Sequence, residues 1–316
     1  MRSETASPNK GFHMIFRINR VPASATLFFV LLLNIGCASH IQKPLPDPEA
    51  ETSLWRVDSP TTAVYLLGSI HVLKQSDYPL PPAMEHAYDQ AERLVFEVHL
   101  DSADSPMAQA KILTRSFLRG DSTLADCIPD TLLRLVHRQA ETLGVQPSMF
   151  NKMKPWMVGM TLSLLKMQRS GIQPQYGVDF YFFRRARLEE KPVKGLESVE
   201  FQADLLGRLS VLNQTEYLRY TLQDLDRLNS ELGKMTDAWR TGDTEALEAL
   251  LVEGFKEYPE LYEAMVVERN RRWMRRIRSR LADDVPTLFV VGAAHLVGED
   301  GLVRLLKKEG HLVQQL

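Results

Sequence analysis

Cysteine is scarce in this sequence, which contains only Cys37 and Cys127. Two cysteines cannot build the disulfide framework that small secreted domains need, and without a C-x-x-C pair a thiolate zinc cluster is not expected. An excess of charge is also missing, because 38 basic and 40 acidic side chains give a formal net charge of -2. No global field therefore favours nucleic acid, and function has to come from local sites.

The common catalytic signatures are absent as well. The sequence has no H-E-x-x-H, G-x-S-x-G, Walker A or G-x-G-x-x-G segment, so none of these motif-defined enzyme classes is indicated. Beyond the N-terminus, no segment is long and apolar enough to span a bilayer.

Residues 1–37 have the layout of an export signal. Two arginines precede a short apolar run at residues 25–33, and the small residues of Gly36-Cys37-Ala38-Ser39 follow soon after it. The run is too short for a comfortable transmembrane helix. Because Gly36-Cys37 resembles a bacterial lipobox, we expect Cys37 to be lipidated and to become the mature N-terminus. A plain signal peptide with an incidental cysteine is the alternative.

A tether is predicted between this signal and the folded domain. Residues 38–53 are rich in proline and acidic side chains, which is typical of a linker. We therefore expect an exported protein, anchored to a membrane (the outer membrane is favoured) or periplasmic. Met14 is a candidate start, since residues 1–13 are unlike the charged region of a signal peptide.

The remaining residues, 54–316, alternate between strand-like and helix-like patterns. Short apolar runs predict strands at residues 54–57, 63–67, 94–98, 191–196, 287–291 and 311–315. Helical spacing of apolar residues predicts helices at residues 82–91, 103–117, 131–143, 155–168, 178–189, 299–309 and in a long stretch, 198–281, broken near Gly233, Gly242, Gly254 and Pro259. This pattern predicts one α/β domain with a central, mostly parallel or mixed sheet and a large helical insertion.

Two similar segments lie at opposite ends of this domain. Residues 65–73 and 289–297 both consist of a strand, a glycine, two small or apolar residues, a histidine and two aliphatic residues, and each is followed by a helix and a strand. Such an internal repeat is more informative than either half. Because ligands of open parallel sheets bind beyond the carboxyl ends of strands, we expect His71 and His295 at one rim. If only one of these histidines were present, a structural role as a hydrogen-bonded residue would be the simpler interpretation.

Acidic residues accompany the two histidines. Glu97 lies within an apolar strand, where a carboxylate is costly unless it is paired or ligated. Glu197 ends the strand after Gly195, and so points to the same rim. Glu200 is a weaker candidate on the following helix, and Asp179 could either cap a helix or belong to the site.

Two histidines and two carboxylates suit a divalent metal such as Zn²⁺, Mn²⁺ or Co²⁺. They could also work without metal, with a histidine as the general base on water and a glutamate holding it. The residue types leave both possibilities open.

The combined motifs resemble the TraB/GumN family. The similarity covers residues 54–316 and lies in the segments L-L-G-S-I-H-V-L from 66, Y-P-L-P from 78, F-E-V from 96, G-V-D from 177, G-L-E from 195 with Gln202, A-W with G-D from 238 to 243, R-N from 269, and V-G-A-A-H-L-V-G from 291. The resemblance implies kinship with the Tiki metalloproteases, and a wider link to erythromycin-esterase-like and ChaN-like folds.

By this resemblance, the site would consist of His71, Glu97, Glu197 and His295, and these four residues would be the metal ligands. Arg269 matches the Arg-Asn pair of the family and would join the catalytic set. The other arginines among the seven between residues 268 and 280 fit a solvated amphipathic helix, with contact to anionic lipid or another anionic surface as the alternative.

Three functions follow from these observations. The first is an exported metal-dependent hydrolase, a peptidase above all, in which a bound cation polarises the scissile carbonyl and lowers the pKa of its water. The second is a metal-free, esterase-like hydrolase that uses histidine and glutamate on a small ester or amide. The third is a lipoprotein that binds a metal or small ligand without turnover.

The first prediction concerns export. We expect cleavage before Cys37 and recovery of the protein in the membrane fraction, because lipidation would anchor the new N-terminus. Cys37→Ser should release the protein or block its maturation, as fractionation and mass spectrometry of the N-terminus would show. Full-length protein recovered from the cytoplasm would contradict the prediction.

Overall fold

Six strands form a single mixed sheet in this computed structural model, which describes residues 51–59, 61–103, 105–253 and 259–316. The predicted signal, Cys37 and most of the predicted tether lie outside the described residues. The strand order along the sheet is β4-β3-β5-β2-β1-β6. The strands are β1 (Leu54–Asp58), β2 (Ala63–Ser69), β3 (Arg93–Val98), β4 (Val193–Glu197), β5 (Thr287–Gly292) and β6 (Val313–Gln315).

Four consecutive strands, β4, β3, β5 and β2, run parallel, which brings their carboxyl ends to one rim. β5 pairs in parallel with both β2 and β3, and β3 pairs in parallel with β4. The strands of the two glycine–histidine segments are therefore neighbours, with Gly68 opposite Val291 and Ser69 opposite Gly292. The predicted α/β class with a mixed sheet is confirmed. β1 is antiparallel to both β2 and β6.

Helices fill the two long connections on either side of β4 and form the predicted helical insertion. Shorter helices follow each glycine–histidine segment. They are α1 (Pro82–Gln90), α2 (Leu100–Ala103), α3 (Pro106–Ser116), α4 (Leu124–Cys127), α5 (Asp130–Thr142), α6 (Pro155–Arg169), α7 (Val178–Leu188), α8 (Val199–Gly207), α9 (Val211–Asp224), α10 (Leu228–Arg240), α11 (Thr244–Leu251), α12 (Pro259–Tyr262), α13 (Glu268–Leu281) and α14 (Leu302–Lys308). A π-helical turn, Glu263–Val267, joins α12 to α13.

Several predicted helix boundaries agree with the structure and two do not. Asp243 caps α11, because its side chain accepts a hydrogen bond from the backbone N–H of Ala246. Gly233 was wrongly predicted to interrupt a helix, since it lies inside α10, where packing of the apolar face outweighs its low helix propensity. The helix predicted at residues 103–117 begins three residues later, as α3 at Pro106, because Ser105 caps it, and the short α2 precedes it.

The core lies on both faces of the sheet, as expected for parallel strands covered by helices. Every residue of β5 is buried. Trp239 of α10 reaches the rim, where its indole N–H donates a hydrogen bond of 2.5 Å to the carbonyl oxygen of Gly68. No helix in the described ranges combines the length and apolar character that a membrane crossing requires.

The second prediction concerns two glycines in different surroundings. A Cβ atom at Gly177 would lie 2.4 Å from the backbone oxygen of His71, whereas one at Gly233 would meet nothing within 4 Å. Gly177→Ala should therefore lower the free energy of unfolding by about 1–3 kcal/mol. Gly233→Ala, the matched control, should raise it by about 0.5–1 kcal/mol. Urea unfolding measures both changes, and a neutral Gly177→Ala would contradict this packing.

Candidate active site

The four residues that the sequence singled out meet at the rim of the sheet. His71 follows β2, Glu97 lies near the end of β3, Glu197 ends β4 and His295 follows β5. The space around Gly292 joins three of them. A Cβ atom there would lie 3.1 Å from Oε1 of Glu97, 3.4 Å from Nε2 of His71 and 3.7 Å from Cδ2 of His295. Glycine at this position leaves room for all three side chains.

Arg269 of α13 connects this cluster to the fourth residue, Glu197. Its side chain is almost fully buried. Nη2 donates to Oε2 of Glu97 at 2.5 Å, and Nε donates to Oε2 of Glu197 at 2.9 Å. Nη1 donates to Nε2 of His295 at 3.0 Å and to the backbone oxygen of Met265 at 3.1 Å. The guanidinium thus pairs two carboxylates that would be costly to bury alone.

Glu97 is held in its ionised form. Oε1 accepts a hydrogen bond of 2.7 Å from the backbone N–H of Gly292, and Oε2 accepts one of 3.1 Å from Nε2 of Gln202, besides the bond from Arg269. Burial by itself would raise the pKa of this carboxyl. The charges of Arg269 and His71, together with the Gly292 N–H, outweigh burial and lower the pKa to about 2.

His295 is held in its neutral form. Its Nδ1 lies 2.7 Å from Oδ1 of Asn270, while the amide nitrogen of Asn270 donates to the backbone oxygens of His295 and Asp300. Nδ1 therefore carries the proton, and the lone pair of Nε2 accepts from Arg269. Burial first, and then the Arg269 charge, keep the pKa of His295 well below its ordinary value. The ring of Trp273 packs against it, with centroids 4.3 Å apart.

His71 is in the opposite electrostatic state. Nδ1 lies 3.1 Å from Oδ1 of Asp179, which also accepts a hydrogen bond of 3.0 Å from the hydroxyl of Ser69. Burial alone would lower the pKa of His71. The charge and hydrogen bond of Asp179, with a contribution from Glu97, outweigh burial and raise the pKa to about 9. His71 therefore carries a proton at neutral pH.

The start of α7 places Asp179 beside His71. The backbone N–H of Val178 donates to the oxygen of Ile70 at 3.0 Å, and Gly177 packs directly on the backbone of His71. Asp179 makes no side-chain cap at the start of this helix. Of the two roles considered for Asp179, the structure therefore shows the contact with the site and not the cap.

In the described part of the chain, the predicted ligands are not gathered around a common metal position. Within the described ranges, no group of three or more His, Cys, Asp or Glu side chains is placed to hold one. Arg269 engages both glutamates and the lone pair of His295, and these are the donors that a cation would need. The assignment of His71, Glu97, Glu197 and His295 as metal ligands stays a prediction.

Three other residues at the site, Ser69, Gln202 and Asn270, were not predicted individually from the sequence. Ser69 lies inside the first glycine–histidine segment, whereas Gln202 and Asn270 appeared only as parts of the family motifs. Their side chains have no chemical signature of their own, so only a motif could have indicated them. Glu200, a weaker candidate, is not in the site, because its carboxylate pairs with Lys111 at 3.1 Å near the surface.

Comparison with known proteins finds relatives whose sequence identity is low but whose similarity extends over most of this chain. The uncharacterized protein YbaP of Escherichia coli is 26% identical over 250 residues, which are 77% of this chain and 87% of YbaP. The Metalloprotease TIKI homolog of Amphimedon queenslandica is 23% identical over 83% of this chain, and Metalloprotease TIKI2 of Danio rerio is 25% identical over 86% of it. The chain spans only 61% and 62% of those two proteins.

No solved structure matches the chain. The sequence model of the TraB/PrgY/gumN family, however, matches residues 53–315, a range that contains all six strands and every site residue described above. The chain therefore belongs to the TraB/PrgY/gumN family.

Proposed function

We propose that this protein is an exported hydrolase that cleaves peptide bonds, either anchored through Cys37 to a membrane, with the outer membrane favoured, or periplasmic. The observation that supports this most is the pairing of opposite protonation states around Gly292. A carboxylate with a pKa of about 2 and an imidazole with a pKa of about 9 face the same small space there. At neutral pH such a pair keeps a base and an acid in the protonation states that a hydrolysis requires.

In this mechanism His71 is the proton donor. Water adds to the carbonyl carbon of the scissile bond and gives up a proton to Oε1 of Glu97. As the carbon–nitrogen bond breaks, Nε2 of His71 protonates the leaving amine. Asp179 holds the ring of His71 and favours its charged form. This assigns His71 as an acid, whereas the metal-free alternative from the sequence made a histidine the base.

Arg269 and His295 keep the carboxylate in place. The guanidinium fixes one oxygen of Glu97 and the Gly292 N–H fixes the other. His295 lies 3.9 Å from Oε1 of Glu97 and is neutral, so its remaining role is to accept the Arg269 hydrogen bond. Groups held in this way need little reorganisation during the reaction.

Peptide bonds are the proposed target because two relatives bear the name metalloprotease. Those names also support the metal-dependent version, in which His71, Glu97, Glu197 and His295 would hold a divalent cation and the cation would supply Lewis-acid chemistry. That version requires Arg269 to release the two glutamates and His295, so it predicts a movement of this side chain when metal is added.

The third prediction concerns the two histidines. His71→Ala and His295→Ala should each lower kcat/KM for peptide hydrolysis by about 100-fold or more, because one removes the acid and the other frees Arg269. Purified wild type should first be screened on a broad peptide mixture by mass spectrometry. His86→Ala, which alters an exposed histidine of α1, is the matched control and should retain activity.

The same assay with and without chelator separates the two versions of the mechanism. Full activity in chelator supports the mechanism by side chains alone. Loss that added Mn²⁺, Co²⁺ or Zn²⁺ restores supports the metal-dependent one. Unfolding curves of the variants must show that they fold, and a fully active His71→Ala, His295→Ala double variant would refute the site.

The fourth prediction concerns pH. Since His71 donates a proton and its pKa is about 9, kcat/KM should fall as pH rises through about 9. Asp179→Asn removes the charge that raises this pKa, so the fall should begin at lower pH. Glu97, with a pKa of about 2, should cause no loss of activity in mild acid. A kcat/KM that instead increases between pH 6 and pH 9 would indicate that His71 acts as a base.

A further inference from the structure

A cavity of about 450 Å³ adjoins the site at Glu197. This size lies within the range of small-molecule pockets. The cavity is connected to the catalytic cluster by Trp273, whose ring packs on His295 and lies under the guanidinium of Arg269, 4.7 Å from ring centroid to Cζ. The cavity is also lined by Phe201, Arg272, Arg275 and Arg276.

The lining carries an excess of positive charge. Three arginines of α13 face a single carboxylate, Glu197, which Arg269 already engages. In the part of the chain that the structure describes, neither Arg275 nor Arg276 forms an ion pair.

Other arginines of the same helix are paired at the surface. Arg271 contacts Glu263 at 2.7 Å, and Arg278 contacts Glu309 at 2.5 Å. The uncompensated charge of α13 is therefore concentrated on the side of the helix that lines the cavity.

Two donors on the lining residues lack an acceptor. Nη2 of Arg272 and Nε1 of Trp273 are buried and make no hydrogen bond within the described residues. Trp273 is only 1% exposed. Buried N–H groups without acceptors are costly, so each one calls for an explanation. Arg272 is also fixed in place, because its guanidinium stacks over the ring of Phe201 at 4.1 Å.

We propose that this cavity is a subsite for a carboxylate group of the substrate. The planar guanidinium of Arg272 matches the two oxygens of a carboxylate, and Arg275 and Arg276 supply further positive charge. The proposal rests on the proposed hydrolase function and narrows its substrate to peptides that place a carboxylate beside Glu197. This carboxylate belongs either to an acidic side chain or to the peptide C-terminus.

Matched peptides test the proposal by binding, independently of turnover. Fluorescently labelled peptides that differ only in Glu or Gln at one position, or in a free or amidated C-terminus, are titrated into the purified full chain carrying His71→Ala. One of the two carboxylate peptides should bind about tenfold or more tightly than its neutral partner. The pair that shows the difference identifies the source of the carboxylate.

Two double variants that lose the same positive charge test whether the preference for the carboxylate peptide arises in the cavity. Arg275→Ser with Arg276→Ser should abolish the preference for the carboxylate, and Arg271→Ser with Arg278→Ser should preserve it. Equal binding of charged and neutral peptides by the parent protein would overturn the proposal. An equal loss in both double variants would also overturn it, because it would show a general effect of charge.

Vesicle binding and peptide cleavage distinguish the remaining explanations. If phosphatidylglycerol vesicles bind through Arg275 and Arg276 while the peptides show no preference, α13 contacts a membrane and the subsite is refuted. If the preference is present but the chain with His71 intact cleaves no peptide, the subsite stands and the hydrolase function fails. Cleavage without any preference refutes the subsite and supports the hydrolase.

Discussion

The buried guanidinium of Arg269 is the interaction on which the rest of the site depends. It pairs Glu97 of β3 with Glu197 of β4 and donates to His295 after β5, so one side chain links the ends of three strands. Removing one partner of such a buried ionic group typically costs about 3–5 kcal/mol. A π-helical turn directly precedes α13, and its residue Met265 accepts a further bond from Arg269. Such turns are frequent at functional sites.

The same guanidinium explains why two similar sequence segments produce different chemistry. Both histidines follow a strand and a glycine, yet His295 faces Arg269 and stays neutral, whereas His71 faces Asp179 and is charged. Their pKa values are separated by neighbours that lie far away in the chain. An internal repeat of backbone structure thus holds a charged imidazole on one side and a hydrogen-bond acceptor on the other.

The sheet and the helical insertion contribute different parts of the site. The parallel strands bring histidines and glutamates to one rim because their carboxyl ends coincide. The insertion supplies the side chains that set the protonation and position of these residues, namely Asp179 from α7, Gln202 from α8, and Arg269 and Trp273 from α13. It also forms the cationic cavity beside Glu197. In the proposed hydrolase, differences in the insertion would change substrate preference while the rim stays the same.

The sequence by itself determined the α/β class, most strands and helices, and the convergence of both histidines, since apolar periodicity and parallel strand direction are local properties with a general geometric consequence. It also indicated Glu97, because a carboxylate in an apolar strand requires a partner. Only the tertiary structure decided which partners these are. The pairing of Asp179 with His71 spans 108 residues, and that of Arg269 with Glu97 spans 172. Protonation depends on distances of a few ångströms between such groups, and no pattern along the chain specifies these distances.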